Sequence, residues 1–473
     1  MRALTKCVFV LAAMSTLLAI GDGAAAARAG GVRWTFAKFR PVSQPSAVAS
    51  RFVLYAAGSG GLRVVALDVR SGRPVWTALA SPSAIAPGVP PTLLAVDGEV
   101  IILRPVFGQR ARLVAIDART GRKRWASNPG YFTDWPERCL GEPSYVCDVG
   151  TYAAISDESV SVMRFRVRDG HRSRGALLST GSSLGAPRAV GPGLFDTGQR
   201  EPEVLESASP TRRLWLRPLA DIFGVPDAST DNGWDIDRVT RAGLFVGSVL
   251  AAPSVSSTSG YQFDFAAQET VGFSIVKGSV AWTDKGSLYA CGQPLPCPGE
   301  FSPGGPSITL RFRATGILSA PAGGGALRVS PGASVAVEGF DATTGKNRWS
   351  FNAGHDVGLL TEAQVPPQLS STVLALPNAS GAPMLVDLST GAGTPVASGA
   401  VAWCRSLVSY HEDVGYPGPV GPITQYVGGY SFFPCDPTGH RRLVPTHVPS
   451  FVGSRFKGIA AFSDARRVLA VGQ

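Results

Sequence analysis

The chain has 473 residues, of which 44% are hydrophobic and 16% are charged, and it contains 56 Gly and 37 Pro. This composition excludes a long coiled coil, which needs more charge and almost no Pro, and a disordered chain, whose mean hydropathy would lie below the +0.12 found here. It also excludes a multi-span membrane protein, because the sequence has no repeated apolar runs of about 18 residues or more.

The first 29 residues have the pattern of a secretory signal. Arg2 and Lys6 precede a short apolar stretch, residues 8–20, and Ala27-Arg28-Ala29 forms an A-x-A-like exit. We expect cleavage before Gly30 and a secreted or cell-envelope location for the mature chain, without a membrane span. A retained anchor is the alternative, but the apolar stretch is short for about 30 Å of hydrocarbon.

A repeated motif is the main signal in the rest of the chain. Residues 66–76, 115–125 and 339–349 align without gaps and share the pattern small-x-Asp-x-x-x-Gly-x-x-x-Trp. The repeated positions are Asp68, Gly72 and Trp76, then Asp117, Gly121 and Trp125, then Asp341, Gly345 and Trp349; a weaker copy keeps Gly278 and Trp282. Asp can hydrogen-bond a turn backbone and Gly can supply a positive φ, so the motif predicts strand, tight turn and strand. The Trp then packs on a neighbouring sheet, which makes these residues structural.

The spacing of the motif predicts a β-propeller. The Trp or its equivalent falls at positions 34, 76, 125, 174, 215, 282, 349 and 395. A unit of about 40–50 residues with four strands is typical of a propeller blade. We therefore predict an all-β, single-domain propeller over residues 30–473, with eight blades. Seven blades are the alternative, because the copies at 174 and 215 are weak. Residues 396–473 should supply the inner strands of a last blade whose outer strand comes from the N-terminus, around Trp34.

The motif resembles the tryptophan-docking repeat of the pyrroloquinoline-quinone (PQQ)-like propellers. That family includes quinoprotein alcohol dehydrogenases and the envelope protein that assists outer-membrane protein assembly. The dehydrogenase branch would imply PQQ, a Ca²⁺ ion and a carboxylate base. The disulfide between adjacent cysteines that covers the cofactor in that branch has no counterpart here, and no haem-attachment motif is present. The resemblance therefore favours the non-enzymatic branch, in which no cofactor is expected.

Six cysteines follow the predicted signal, and an even number in an exported chain predicts disulfides. Loop entropy favours near neighbours, which gives the pairs Cys139–Cys147, Cys291–Cys297 and Cys404–Cys435. Each of these disulfides would restrict a loop at the surface of the protein. Long irregular insertions are expected at residues 130–150, 223–237, 291–305 and 410–438. Their aromatic residues, such as Trp135 and Tyr426, could form a binding patch, although covering the underlying core is the more common role.

One acidic stretch is a candidate metal site. It contains Asp227, Asp231, Asp235 and Asp237, and hard cations such as Ca²⁺ prefer several oxygen ligands from one turning loop. The spacing differs from that of an EF-hand, so a solvated turn is the default interpretation. No catalytic residue is assigned, because the sequence has no nucleophile elbow and its five histidines have no partner at metal-ligand spacing.

The sequence thus predicts an exported β-propeller that acts as a binding or assembly scaffold of the cell envelope, with an envelope or extracellular protein or polymer as its partner. The alternative is a dehydrogenase of alcohols or sugars that uses PQQ and calcium. The net charge of +10 comes from 37 Arg and 7 Lys that are scattered along the chain. No nucleic-acid partner is expected, because such a partner needs a basic face with stacking aromatic residues.

Overall fold

The structure, a computed structural model, describes residues 31–59, 61–80, 93–106, 110–152, 160–179, 187–197, 203–224, 228–230, 234–251, 255–257, 260–289, 309–321, 328–330, 333–354, 367–414 and 423–472. The expected signal, residues 1–29, lies outside the described part. The chain divides into two compact units. The first unit contains Gly30–Leu216, Arg405–Pro434 and Val444–Gln473, and the second contains Arg217–Cys404 and Cys435–Leu443.

The strands up to residue 218 form small antiparallel sheets in which neighbours along the chain usually pair. They are β1 (Val32–Phe36), β2 (Arg40–Pro41), β3 (Ser46–Val48), β4 (Arg51–Gly58), β5 (Gly61–Asp68), β6 (Pro74–Leu79), β7 (Leu94–Val96), β8 (Glu99–Pro105), β9 (Ala111–Asp117), β10 (Lys123–Ala126), β11 (Tyr131–Phe132), β12 (Glu137–Arg138), β13 (Tyr145–Thr151), β14 (Ser161–Arg166), β15 (Arg172–Ser173), β16 (Arg188–Gly191), β17 (Leu194–Asp196), β18 (Val204–Ala208) and β19 (Arg213–Pro218). Strands β2–β6 form blade 1, β7–β10 blade 2, β11–β15 blade 3 and β16–β19 blade 4.

The next part of the chain adds three blades and one further sheet. Its elements are α1 (Leu219–Phe223), β20 (Trp234–Val239), β21 (Leu244–Val249), β22 (Val255–Ser257), β23 (Gly260–Asp264), a 3₁₀ turn (Phe265–Ala267), β24 (Glu269–Ser274), β25 (Val280–Lys285), β26 (Ser287–Tyr289), β27 (Thr309–Ala314), β28 (Ile317–Pro321), β29 (Arg328–Val329), β30 (Val335–Phe340), β31 (Asn347–Asn352), β32 (Gln368–Ser370), β33 (Val373–Pro377), β34 (Pro383–Asp387), β35 (Gly393–Pro395), β36 (Ala402–Val414) and β37 (Ile423–Cys435). Blade 5 is β20-β21-β24-β25, blade 6 is β26-β27-β30-β31, and blade 7 contains β32–β35. Strands β22, β23, β28 and β29 form the sheet that is not a blade. Within the described residues, no helix has both the length and the apolarity to cross a bilayer.

The last blade joins the two ends of the sequence. Strands β38 (Ser454–Phe456), β39 (Ile459–Ser463) and β40 (Val468–Gly472) pair in order, and β1 then pairs antiparallel with β40. The register places Val32 opposite Val471 and Phe36 opposite Val468. The N-terminal strand is thus the outer strand of blade 8, as the sequence predicted. Pairing within the blade covers an edge of β40 that would otherwise be open to other chains.

The segment 410–438 differs from the irregular insertion expected from the sequence. Strands β36 and β37 are long and pair with each other, and Gln368 of β32 pairs with Trp403 at the start of β36. The Gly and Pro residues at 415–422 suggested a loop, but the flanking residues are rich in Tyr, Val, Phe and Thr, which favour strands. The strand propensity of the flanking residues therefore explains why strands form on both sides of residues 415–422.

Each repeated turn has the geometry that its residues predict. Gly72 donates its N–H to the carbonyl of Asp68 at 2.9 Å, and the Asp68 carboxylate accepts the N–H groups of Arg70 and Ser71 at 3.1 Å. Gly72 has a φ of +66°, which a residue with a side chain rarely adopts. The turn therefore fixes the direction in which the outgoing strand leaves.

The tryptophans link one blade to the next. Each ring lies against the turn glycine of the following blade, and its indole N–H donates to the carbonyl three residues before that glycine. The donors and acceptors are Trp34 and Val69, Trp76 and Ala118, Trp125 and Val167, Trp282 and Ala342, and Trp349 and Leu388, at 2.6–3.1 Å. In the part of the chain that the structure describes, this contact thus recurs at least three times in the first unit and at least twice in the second.

Apolar residues of the second and third strands of each blade fill the space between blades. In the first unit, Tyr55, Val64, Ile102 and Val114 belong to one buried cluster that also includes Phe165. In the second unit, Leu310, Val337 and Leu376 form a comparable cluster. Eight blades, five in the first unit and three in the second, make this an all-β chain of the eight-bladed β-propeller class. The prediction of eight blades rather than seven is confirmed.

Candidate functional site

Two of the three predicted cysteine pairs are bonded in the structure. Cys139, which follows β12, is joined to Cys147 of β13, with the Cα atoms 4.8 Å apart. Cys404 of β36 is joined to Cys435 of β37, with the Cα atoms 5.8 Å apart. Cys291 and Cys297 lie outside the described residues. Each described disulfide closes a loop or a hairpin. The bond restricts the conformations of that segment in the unfolded chain as well as in the folded one.

The predicted acidic site is only partly described. Asp227 and Asp231 lie outside the described residues, whereas Asp235 and Asp237 alternate along β20 and so face the same side of the strand. Burial raises the pKa of Asp237. Burial, and then the charges of Asp237 and Asp235, raise the pKa of Tyr289. The two acids therefore lie near a buried tyrosine of β26, and metal binding by the four-residue stretch stays a prediction.

The aromatic residues of the 130–150 segment cover the core. Phe132 and Trp135 are buried, and the Trp135 ring lies 5.2 Å from the ring of Tyr55. Tyr131 is half-buried and has the Arg110 guanidinium 5.7 Å from its ring. In the second aromatic segment Phe432 is buried, and the side chains of Tyr410, Tyr416, Tyr426 and Tyr430 lie outside the described part.

The structure brings together a group that the sequence did not indicate. Tyr55 of β4, Asp134 and Trp135 of the segment before β12, and Asp148 of β13 form what we call the acid–tyrosine cluster. The carboxylates of Asp134 and Asp148 each accept the N–H of the next residue, at 2.7 Å. The second carboxyl oxygen of Asp148 and the hydroxyl of Tyr55 are both buried and have no hydrogen-bond partner. Such unpaired buried atoms are rare in folded proteins.

Burial controls the protonation of this cluster. It raises the pKa of Asp134 to about 6, against the hydrogen bond from Trp135 N–H that lowers it. For Asp148, burial and the nearby Asp134 charge raise the pKa well above its ordinary value. Burial and the charge of Asp148 likewise raise the pKa of Tyr55. Burial and the repulsion between the two carboxylates therefore favour the protonated form of Asp148 over its ionised form.

A carboxyl group with a raised pKa can act in general acid–base chemistry or can make stability depend on pH. Asp148 is only 2% exposed, so its carboxyl is closed to a substrate in the described geometry. In the described geometry we therefore expect the cluster to act on the pH dependence of the free energy of unfolding. One sequence signal could have revealed it, since Asp148 stands inside the otherwise apolar strand β13.

We expect Asp148→Asn to raise the free energy of unfolding at pH 8, because the variant has no buried carboxyl group that must ionise. The raised pKa of Asp148 means that the native state holds this proton more tightly than the unfolded state. Its stabilising contribution is present below the ordinary pKa of 3.8 and is lost as pH rises through the raised pKa. Asparagine keeps the acceptor for Val149 N–H and cannot ionise. Urea unfolding measured from pH 4 to pH 8 should give a flatter profile for the variant.

Asp169→Asn is the matched control with the opposite sign. A hydrogen bond from Arg166, then one from the N–H of His171, lower the pKa of Asp169 to about 2. Its contribution is therefore present above the ordinary pKa and is lost at acid pH. The control should reduce stability near neutral pH. Equal profiles for the Asp148 variant and the wild type would show that Asp148 carries no raised pKa.

The PQQ and calcium implied by the resemblance require a set of oxygen ligands. Within the described ranges, no three or more His, Cys, Asp or Glu side chains group so that they could hold a metal ion. The acid–tyrosine cluster supplies two carboxyl groups whose pKa values burial raises, whereas Ca²⁺ prefers six to eight oxygen ligands and ionised carboxylates. These residues do not fit a calcium ion, and we derive no step through PQQ or calcium.

One family model matches the sequence. Residues 14–186 match the model described as outer membrane protein assembly factor BamB. This part includes β1 and blades 1 to 3, and hence three of the docking tryptophans. A comparison with curated proteins finds no match.

Solved structures of the same propeller class are similar over most of the chain. BamB from Moraxella catarrhalis is 11% identical, with a TM-score of 0.31, and the match covers 91% of this chain and 96% of that one. Quinohemoprotein alcohol dehydrogenase ADHIIG from Pseudomonas putida HK5 is 13% identical, with a TM-score of 0.38 and coverages of 89% and 78%. A europium-containing methanol dehydrogenase is 14% identical, with a TM-score of 0.31 and coverages of 91% and 76%.

Proposed function

We propose that this protein is an extracytoplasmic scaffold that binds a protein partner during assembly processes of the cell envelope. The observation that carries the proposal is the match of residues 14–186 to the family of an outer-membrane protein assembly factor. The two described disulfides support the extracytoplasmic location, because such bonds persist in oxidising compartments.

The construction of the blades supports a binding role. Each docked Trp joins two blades by a hydrogen bond and by ring packing, so the strands that carry the exposed turns are held firmly. The Cys139–Cys147 bond restricts the segment that leaves blade 3. A surface that is already ordered loses less conformational entropy when a partner binds. These features suit recognition by loops and turns on a rigid framework.

Photocrosslinking in the cell envelope tests the proposal. A photoreactive amino acid at Leu79 or Leu177, exposed in the first unit, is compared with one at Val276 or Leu443, exposed in the second. We expect a discrete protein adduct from one unit and none from the other. No adduct at any of the four positions would overturn the proposal. So would stoichiometric retention of PQQ with Ca²⁺ together with alcohol-dependent reduction of a dye, which would establish a dehydrogenase.

A further inference from the structure

The turns of blades 1, 2 and 3 carry arginine at equivalent positions. Arg70, Arg119 and Arg168 each stand two residues before the turn glycine, and Arg73 and Arg122 follow two of those glycines. All five side chains are exposed. We call these five residues the basic ridge. Two residues before the turn glycine, the three blades of the second unit hold Val276, Thr343 and Ser389, so the arginines at this position are particular to the first unit. The position after the glycine is basic in blade 6 as well, where it holds Lys346.

Tryptophan docking places these turns side by side. Trp76 leaves the turn of blade 1 and packs on Gly121 in the turn of blade 2. Trp125 leaves that turn and packs on Gly170 in the turn of blade 3. Packed sheets lie roughly 10 Å apart, so the arginines follow one another in steps of about that length.

The charge of the ridge is not neutralised by its own turns. The aspartates of the three turns are each paired with another arginine: Asp68 with Arg51 at 3.2 Å, Asp117 with Arg124 at 2.6 Å, and Asp169 with Arg166 at 2.5 Å. None of the ridge arginines forms an ion pair with a carboxylate in the described part of the chain. A row of unpaired guanidinium groups attracts carboxylates, which Arg can bind through two hydrogen bonds at once.

We propose that the basic ridge binds an acidic, extended segment of the protein partner. This inference rests on the proposed function and names the chemistry of the partner. An extended chain rises about 3.3 Å per residue, so acidic residues three positions apart match the roughly 10 Å step of the ridge. The ridge positions carry no apolar side chain that could enter a bilayer, so a lipid surface would be bound by charge alone, without the additional contribution of buried apolar area.

The test uses three arginines that the repeat itself shows to be replaceable. In the ridge variant, Arg70→Ser, Arg119→Ser and Arg168→Ser are combined, because Ser389 already occupies this turn position in blade 7. In the control variant, Lys277→Ser, Lys346→Ser and Arg466→Ser remove the same charge from exposed positions outside the ridge. Circular dichroism of both variants should match that of the wild type.

Binding is measured by fluorescence anisotropy with a labelled peptide of Glu-Glu-Ser repeats. We expect the peptide to bind the wild type and the control alike, and to bind the ridge variant at least about tenfold more weakly at low ionic strength. Added salt should weaken the binding. Equal binding to all three proteins, or none to the wild type, would overturn the inference. It would also be overturned if inorganic polyphosphate or phosphatidylglycerol vesicles bound through the ridge and the peptide did not.

Repeating the crosslinking with the ridge variant separates this inference from the proposed function. Loss of the adduct in the ridge variant, but not in the control, supports both. An adduct that persists in the ridge variant leaves the scaffold role intact and rejects the ridge as the partner site. Absence of any adduct in the wild type rejects the proposed function, whereas the peptide assay still reports on the ridge.

Discussion

Replacing Glu338 by leucine should lower the free energy of unfolding by about 3–5 kcal/mol, as expected when one member of a buried ion pair is removed. Glu338 of β30 accepts hydrogen bonds from Arg311 at 2.9 Å and from Arg313 at 2.8 Å. Arg311 is only 1% exposed and is also held over the ring of Phe340, at 4.6 Å. Leucine would leave its buried guanidinium with the carbonyl of Gly345, at 3.2 Å, and with Asp284, at 3.3 Å, as its remaining partners.

A double substitution shows how much of the loss in stability comes from leaving the Arg311 charge without Glu338, rather than from the change in side-chain packing. Glu338→Leu combined with Arg311→Met leaves no uncompensated charge in the middle of blade 6, while Arg313 keeps its bond to Asp284 at 2.6 Å. We expect the double variant to be more stable than Glu338→Leu alone, because apolar residues of similar size often replace a buried pair without loss. Urea unfolding followed by tryptophan fluorescence gives each value.

An exposed pair in the same blade is the control. Arg348 of β31 binds Asp341 at 2.6 Å, but its side chain is 49% exposed. Arg348→Ala should cost about 1 kcal/mol or less, because water screens such a pair. If Glu338→Leu cost no more than Arg348→Ala, burial would not be what makes the Arg311 network important.

The repeat explains why the fold could be predicted from the sequence. The Asp–Gly turn and the docked Trp lie within nine residues of each other, so one short pattern contains both halves of the link between blades. Even blade 3, whose turn has Arg174 in place of the Trp, keeps Gly170 as the platform for Trp125. The turn glycine and the tryptophan are separate parts of the motif. A copy that lacks the tryptophan can therefore still bind the ring of the preceding blade through its glycine.

The acid–tyrosine cluster shows what the pattern could not contain. Tyr55 and Asp148 lie in different blades and far apart in the sequence. Asp148 interrupts an apolar strand, but nothing in either strand indicates that the two residues meet. Their proximity depends on how the 130–150 segment packs against β4, which no repeat encodes. Arg311 and Arg313 were likewise not singled out from the sequence, although they alternate with Phe312 in an otherwise apolar strand, and a buried charge requires a partner.

Gly121→Ala should lower the free energy of unfolding by about 3–5 kcal/mol, because it acts on the docking link itself. A β-carbon at Gly121 would lie 2.6 Å from Cγ of Trp76, so the ring would have to leave its place. The indole N–H would then lose the carbonyl of Ala118, now 2.9 Å away. Trp76 is half-buried and packs against the buried cluster of the first unit, so displacing its ring should cost about 2–3 kcal/mol. The φ of +74° at Gly121 adds about 1–2 kcal/mol of strain for alanine.

Gly98→Ala isolates the strain, because Gly98 lies in another turn of blade 2 with a φ of +80°, and a β-carbon at this position would have no atom within 4 Å. It should cost only the about 1–2 kcal/mol of backbone strain. The difference between the two variants in urea unfolding then measures the docking of Trp76. If the two variants lost equal stability, docking of the Trp76 ring on Gly121 would contribute nothing measurable to the free energy of unfolding. The rigidity that supports the proposed binding role would then have to come from strand pairing and the buried cluster alone.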